Sequence, residues 1–135
     1  MVRGNGELRE ALKILPTLDV LFTDKETGVV QYKMYKGTAI SKCLFENDNI
    51  TIARTEFSAG AILPSHVHDD IIEHILVETG HLELILCEQG EKIDLCSRQC
   101  YTIEPSVLHS AKILEDTVII AISMPPDPNF PHPAC

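Results

Sequence analysis

From Val29 onward the chain alternates apolar and polar residues in short runs, broken at intervals by Gly, Asn, Asp and Pro. Val29 to Lys36 alternates in part, and Thr38 to Phe45 follows the break at Gly37. Glu46-Asn47-Asp48-Asn49 is a turn signal. Ile50 to Phe57 alternates well, with Ile50, Ile52, Arg54 and Glu56 on one face and Thr51, Ala53, Thr55 and Phe57 on the other. Runs at Glu73 to Val77 and Leu82 to Cys87 flank Gly80, and Glu88-Gln89-Gly90-Glu91 turns the chain into Lys92 to Cys96. Tyr101 to Ile103, Ser110 to Leu114 and Thr117 to Met124 complete the series. Short strands at this spacing predict an all-β sandwich or barrel.

The flanks read differently. Leu8, Ala11, Leu12 and Leu15 fall at helical spacing, Asn5 can cap the start and Pro16 ends the run, so residues 6–15 predict a short N-terminal helix. Leu18, Val20, Leu21 and Phe22 form an apolar patch before a polar turn at Thr23 to Gly28. Residues 1–28 are therefore expected to be a lead-in packed on a barrel of residues 29–124. Five of the eight prolines fall between Pro125 and Pro133, which makes residues 125–135 an extended tail. It is either a loose terminus or an arm laid across a partner subunit with Phe130 as its anchor.

Composition narrows the function. A chain of 135 residues, 44% hydrophobic and 23% charged, fits one compact domain. A net charge of −9 argues against nucleic acid, whose affinity comes largely from Lys and Arg on phosphates. No basic run suggests an anionic membrane surface, and the longest apolar run, Val118 to Ile122, is far short of a membrane span. Residues 1–15 carry charges that a secretory signal would lack. The cysteines at 43, 87, 96, 100 and 135 are odd in number with no CxxC spacing, which predicts reduced thiols in a cytoplasmic protein. Cys100 lies nearest to candidate chemistry, a few residues before Pro105 and His109.

That chemistry is carried by His66, His68, Glu73 and His109. His66 and His68 are two residues apart, so on a strand both imidazoles point to one face. Glu73 can return from an adjoining strand, and His109 can add a third imidazole. Three neutral nitrogens and one anionic oxygen suit a divalent ion of borderline hardness, namely iron, manganese, zinc, nickel or cobalt. Asp69 and Asp70 are alternative oxygen ligands, solvated loop residues, or residues that polarise the histidines from behind. His74, His81 and His132 read as ordinary surface or packing residues.

The spacing resembles the cupin family, whose first motif is G-x5-H-x-H-x(3–4)-E-x6-G. Gly60, His66, His68, Glu73 and Gly80 match it at every position. The family's second motif, G-x5-P-x-G-x2-H-x3-N, keeps only His109. Its glycines fall on Arg98 and Ser106, its proline on Glu104 and its asparagine on Ile113, with Pro105 beside the expected proline. The resemblance covers residues 38 to 124 and implies a double-stranded β-helix, a jelly-roll-like barrel, with a divalent metal inside.

Four protein ligands on a six-coordinate ion leave two positions for a small molecule, dioxygen or both. Cupins similar to this chain include dioxygenases, isomerases, decarboxylases and proteins that only bind small molecules. The expectation is a metal-dependent enzyme of dioxygenase or isomerase type acting on a small polar molecule. The alternatives are a metal-containing binding or sensing module without turnover, and a metal-free barrel with a vestigial site. Arg54 is the candidate for clamping a substrate carboxylate, against the competing role of an ion pair with Glu56. Tyr32, Tyr35 and Tyr101 are candidate proton donors or half-buried packing residues. The resemblance also implies a homodimer formed by pairing outer sheets.

Overall fold

A computed structural model describes residues 19–24, 29–33 and 37–126. The described residues form eleven strands and no helix. In chain order these are β1 (Asp19–Asp24), β2 (Val29–Lys33), β3 (Thr38–Glu46), β4 (Thr51–Phe57), β5 (Ile62–His66), β6 (Ile72–Thr79), β7 (His81–Leu86), β8 (Glu91–Cys96), β9 (Cys100–Ile103), β10 (His109–Ile113) and β11 (Thr117–Met124). They pair antiparallel throughout, in a large sheet ordered β1-β2-β3-β4-β11-β6-β9 and a small sheet ordered β5-β10-β7-β8. The architecture is the jelly-roll barrel that the resemblance implied.

The alternation read from the residues decides which faces meet. On β4 the face of Thr51, Ala53, Thr55 and Phe57 is buried, and the face of Ile52, Arg54 and Glu56 looks outward. β7 does the same with Leu82, Leu84 and Leu86. Phe57 and these three leucines join Ala39, Ala61, Ile75, Val77, Leu95, Ile103, Ile113 and Ile119 in one apolar cluster. Burial of this kind contributes about 25 cal/mol per Å² of apolar surface removed from water. Leu84 and Val77, at 1% and 0% exposure, are the residues whose truncation would leave cavities. Tyr101 packs against the same cluster.

The junction between β6 and β7 is tight. Gly80 has φ +107, and a Cβ there would lie 2.5 Å from the Asp116 carbonyl oxygen and 2.5 Å from Thr117 Oγ1. Only glycine fits both the backbone and the space. Gly60 also has positive φ, at +82, but has open space around it.

Three expectations meet the structure at the edges of this frame. The patch from Leu18 to Phe22 does not stop at a turn beginning at Thr23. A strand continues through Asp24, held by antiparallel pairing to β2. The N-terminal helix at 6–15 lies outside the described residues, as does the tail beyond residue 126. Cys87, Cys96 and Cys100 are free thiols, whereas Cys43 is disulfide-bonded, which corrects the reading of reduced thiols throughout. Among the described residues, no helix is long and apolar enough to cross a membrane.

Candidate metal centre

His66 closes β5 and His109 opens β10, and the antiparallel register sets them directly opposite each other. His68 follows two residues later, in the loop leading to β6. The ring centroids lie 4.2 Å apart for His66 and His109, 4.8 Å for His66 and His68, and 5.4 Å for His68 and His109. One ligand nitrogen from each of the three lies within 4.8 Å of the others. His68 and His109 are buried, at 8% and 1% exposure. Glu73, on β6 of the opposite sheet, places Oε2 3.5 Å from His68 Nε2. The structure thus gathers three of the four expected ligands around one point and sets the fourth beside His68.

Two of the rings are held in the same way. His66 Nδ1 lies 2.8 Å from the Pro64 carbonyl oxygen, and His109 Nδ1 lies 2.8 Å from the Val107 carbonyl oxygen. A carbonyl only accepts, so each Nδ1 carries the hydrogen and each Nε2 is left with its lone pair. Metal-bound histidines are usually oriented by such a bond from the far nitrogen. The repetition follows from the chain, because each bond reaches back two residues along an extended segment.

Electrostatics keep the rings neutral. Burial, followed by the neighbouring His109 and His68, holds His66 well below the ordinary histidine pKa of 6.5. Burial also lowers His109, opposed by the nearby Glu73 carboxylate and by the bond to Val107. Neutral imidazoles are the form that binds a metal. His109 Nε2 is buried and has no hydrogen-bond partner among the described residues. A buried polar nitrogen left without a partner is costly, and an ion held by the lone pair would satisfy it. The donor set present therefore fits a divalent metal.

Other expected residues fall elsewhere. Arg54 does not join the histidines. It lies on the outward face of β4 with Nη1 2.9 Å from Glu56 Oε1 and Nη2 3.3 Å from Glu78 Oε2. The competing role, an ion pair with Glu56, is the one the geometry displays. His74 bonds Thr102 Oγ1 at 2.8 Å, and His81 lies 3.1 Å from Asp94 Oδ1. Asp69 accepts a 2.8 Å hydrogen bond from Ser106 Oγ, and the Ser106 amide donates to the His68 carbonyl oxygen at 2.8 Å. Ser106 was not singled out by its chemistry. The signal that marks it is its place where the second cupin motif has a glycine. Ser106 has φ +64, and Arg98, at the other vacant glycine position, has φ +71.

No family model matches the chain, and no curated protein matches it. Solved structures do. KdgF from Halomonas sp. is 23% identical, with a TM-score of 0.63 over 67% of this chain and 82% of that one. An RmlC-like cupin from Shewanella frigidimarina is 19% identical, with a TM-score of 0.64 over 82% of this chain and 95% of that one. This chain has the cupin fold. A predicted oxalate decarboxylase from Thermotoga maritima adds a TM-score of 0.65 at 15% identity, covering 78% of this chain and all of that one, 100%. The matched first motif agrees with that fold.

Proposed function

We propose that this cupin is a metal-dependent enzyme acting on a small polar molecule, with His66, His68, His109 and Glu73 as the metal ligands. The observation that carries the reading is the buried Nε2 of His109, without a partner among the described residues, beside two further imidazoles. Structural neighbours named for enzymes, the predicted oxalate decarboxylase among them, are consistent with it.

The chain's own residues prepare the site. The bonds from Nδ1 to Pro64 and Val107 fix the tautomer and the tilt of His66 and His109. Ile75 and Ile103, which follow and face Glu73 in the large sheet, are buried in the apolar cluster of the barrel. Glu73 offers Oε2 beside His68 as a ligand or as a proton acceptor. A bound divalent ion supplies Lewis-acid polarisation or, if ferrous, activation of dioxygen.

The test is the metal content of the untagged protein by elemental analysis. Near-stoichiometric iron directs the substrate search to oxygen uptake. Zinc, manganese or nickel directs it to isomerase and other Lewis-acid chemistry, or to a binding role if no turnover is found. His66→Ala and His109→Ala are expected to lose the metal. Full occupancy in both variants, or no metal taken up by the wild type on reconstitution, would overturn the proposal.

A further inference from the structure

Ser106 occupies a backbone conformation that an L-residue adopts at a cost. Its φ of +64 is in the left-handed region, where a Cβ crowds the backbone. Glycine would avoid this. The hydroxyl does something specific. Ser106 Oγ donates to Asp69 Oδ1 at 2.8 Å, and the Ser106 amide donates to the His68 carbonyl at 2.8 Å. Asp69 and His68 belong to the loop between β5 and β6. Ser106 belongs to the loop between β9 and β10, three residues before His109. These two bonds thus tie the loop that carries His68 to the loop that leads into His109.

Strand pairing brackets both loops, β5 with β10 at one end and β6 with β9 at the other, but no ladder reaches His68 itself. His66 is registered against His109 by β5 and β10, but His68 lies past the end of β5. Glu73 is fixed by β6, in the other sheet. The ring separation of 5.4 Å between His68 and His109 therefore depends on how the loop after β5 holds His68.

We infer that Ser106 and Asp69 are positioning residues: their bond sets His68 against His109 and so sets the metal affinity and coordination geometry of the site. The inference rests on the metal reading above. Small displacements of ligands are felt strongly at such sites, and loss of an orienting partner typically weakens metal binding about 10- to 100-fold.

The experiment is cobalt(II) titration of metal-free protein, followed by visible absorption and by chelator competition. Ser106→Ala and Asp69→Ala are expected to bind cobalt about 10-fold more weakly or worse, with a changed visible spectrum. Asp69→Asn keeps an accepting Oδ1 and is expected to stay near wild type. Ser106→Gly separates the hydroxyl from the backbone. It relieves the left-handed conformation, so it should be more stable than Ser106→Ala, yet it should bind cobalt just as weakly. Wild-type affinity in Ser106→Gly would show that only loop stability matters and would overturn the inference. Unchanged affinity and spectrum in both alanine variants would do the same. If Ser106→Ala does not fold, the Asp69→Ala and Asp69→Asn pair decides the matter by the same readouts. A wild type that takes up no cobalt would remove the metal reading and this inference with it. That outcome is distinct from strong wild-type binding that the variants leave untouched.

Discussion

The two ligand-bearing segments solve the same backbone problem with different residues. The first, from Gly60 to Gly80, uses glycine at its two motif positions, with φ +82 and +107, and bears a side chain only at Asp70, with φ +60. The second reaches φ +71 at Arg98 and +64 at Ser106 with side chains attached. At Gly80 space adds a second demand. A Cβ at Gly80 would sit 2.5 Å from the Asp116 carbonyl oxygen, so packing as well as conformation demands glycine there. At Arg98, which is exposed, only the conformation is demanding, and the chain bears that cost. A motif glycine is thus irreplaceable where something packs on it, and replaceable where only its torsion angle matters.

Substitutions can break this comparison. Gly80→Ala adds both a clash and a strained φ, and should cost about 3 kcal/mol or more, measured by urea denaturation. Gly60→Ala adds strain alone and should cost about 1–2 kcal/mol. Equal losses in the two variants would erase the distinction. Arg98→Gly should gain up to about 1 kcal/mol, since relief of the left-handed conformation exceeds the entropy glycine loses on folding. A loss there would mean that the Arg98 side chain stabilises the turn by some contact of its own.

Acid should sharpen the comparison with a smaller effect, absent at neutral pH. His66 and His109 both titrate below the ordinary 6.5 in the folded, metal-free protein. As pH falls below about 6.5 the unfolded chain takes up protons first, so acid favours unfolding. The stability of the metal-free protein should be full above that pH and decline below it, toward the folded values. His66 is pushed down further than His109, which Glu73 supports, so the His109 ring should titrate first as pH falls, by NMR. The reverse order would show that Glu73 does not act on His109.

Much of the fold was legible because its signals are local. Alternation on β4 separated Arg54 and Glu56 from Ala53 and Thr55, and Gly60 to Gly80 marked the first ligand segment in full. Which face of β4 turns inward was not legible, since it depends on β3 and β11, far away in sequence. For this reason Arg54 could be read as a substrate clamp, although its partners are Glu56 and Glu78 on the outer face. The strand at Asp19–Asp24 was missed at its far end because pairing with β2, and not its own composition, carries it through Thr23 and Asp24. Ser106 stayed hidden because its role needs Asp69, 37 residues away, on another loop.

One consequence follows from where the ligands are anchored. His66 and His109 belong to the small sheet, and Glu73 to the large one. An ion gripping all three would act as a rivet through both walls of the barrel. Removing it should quicken amide hydrogen exchange in β6 and β10 together, since the walls would then part without first breaking a shared bond.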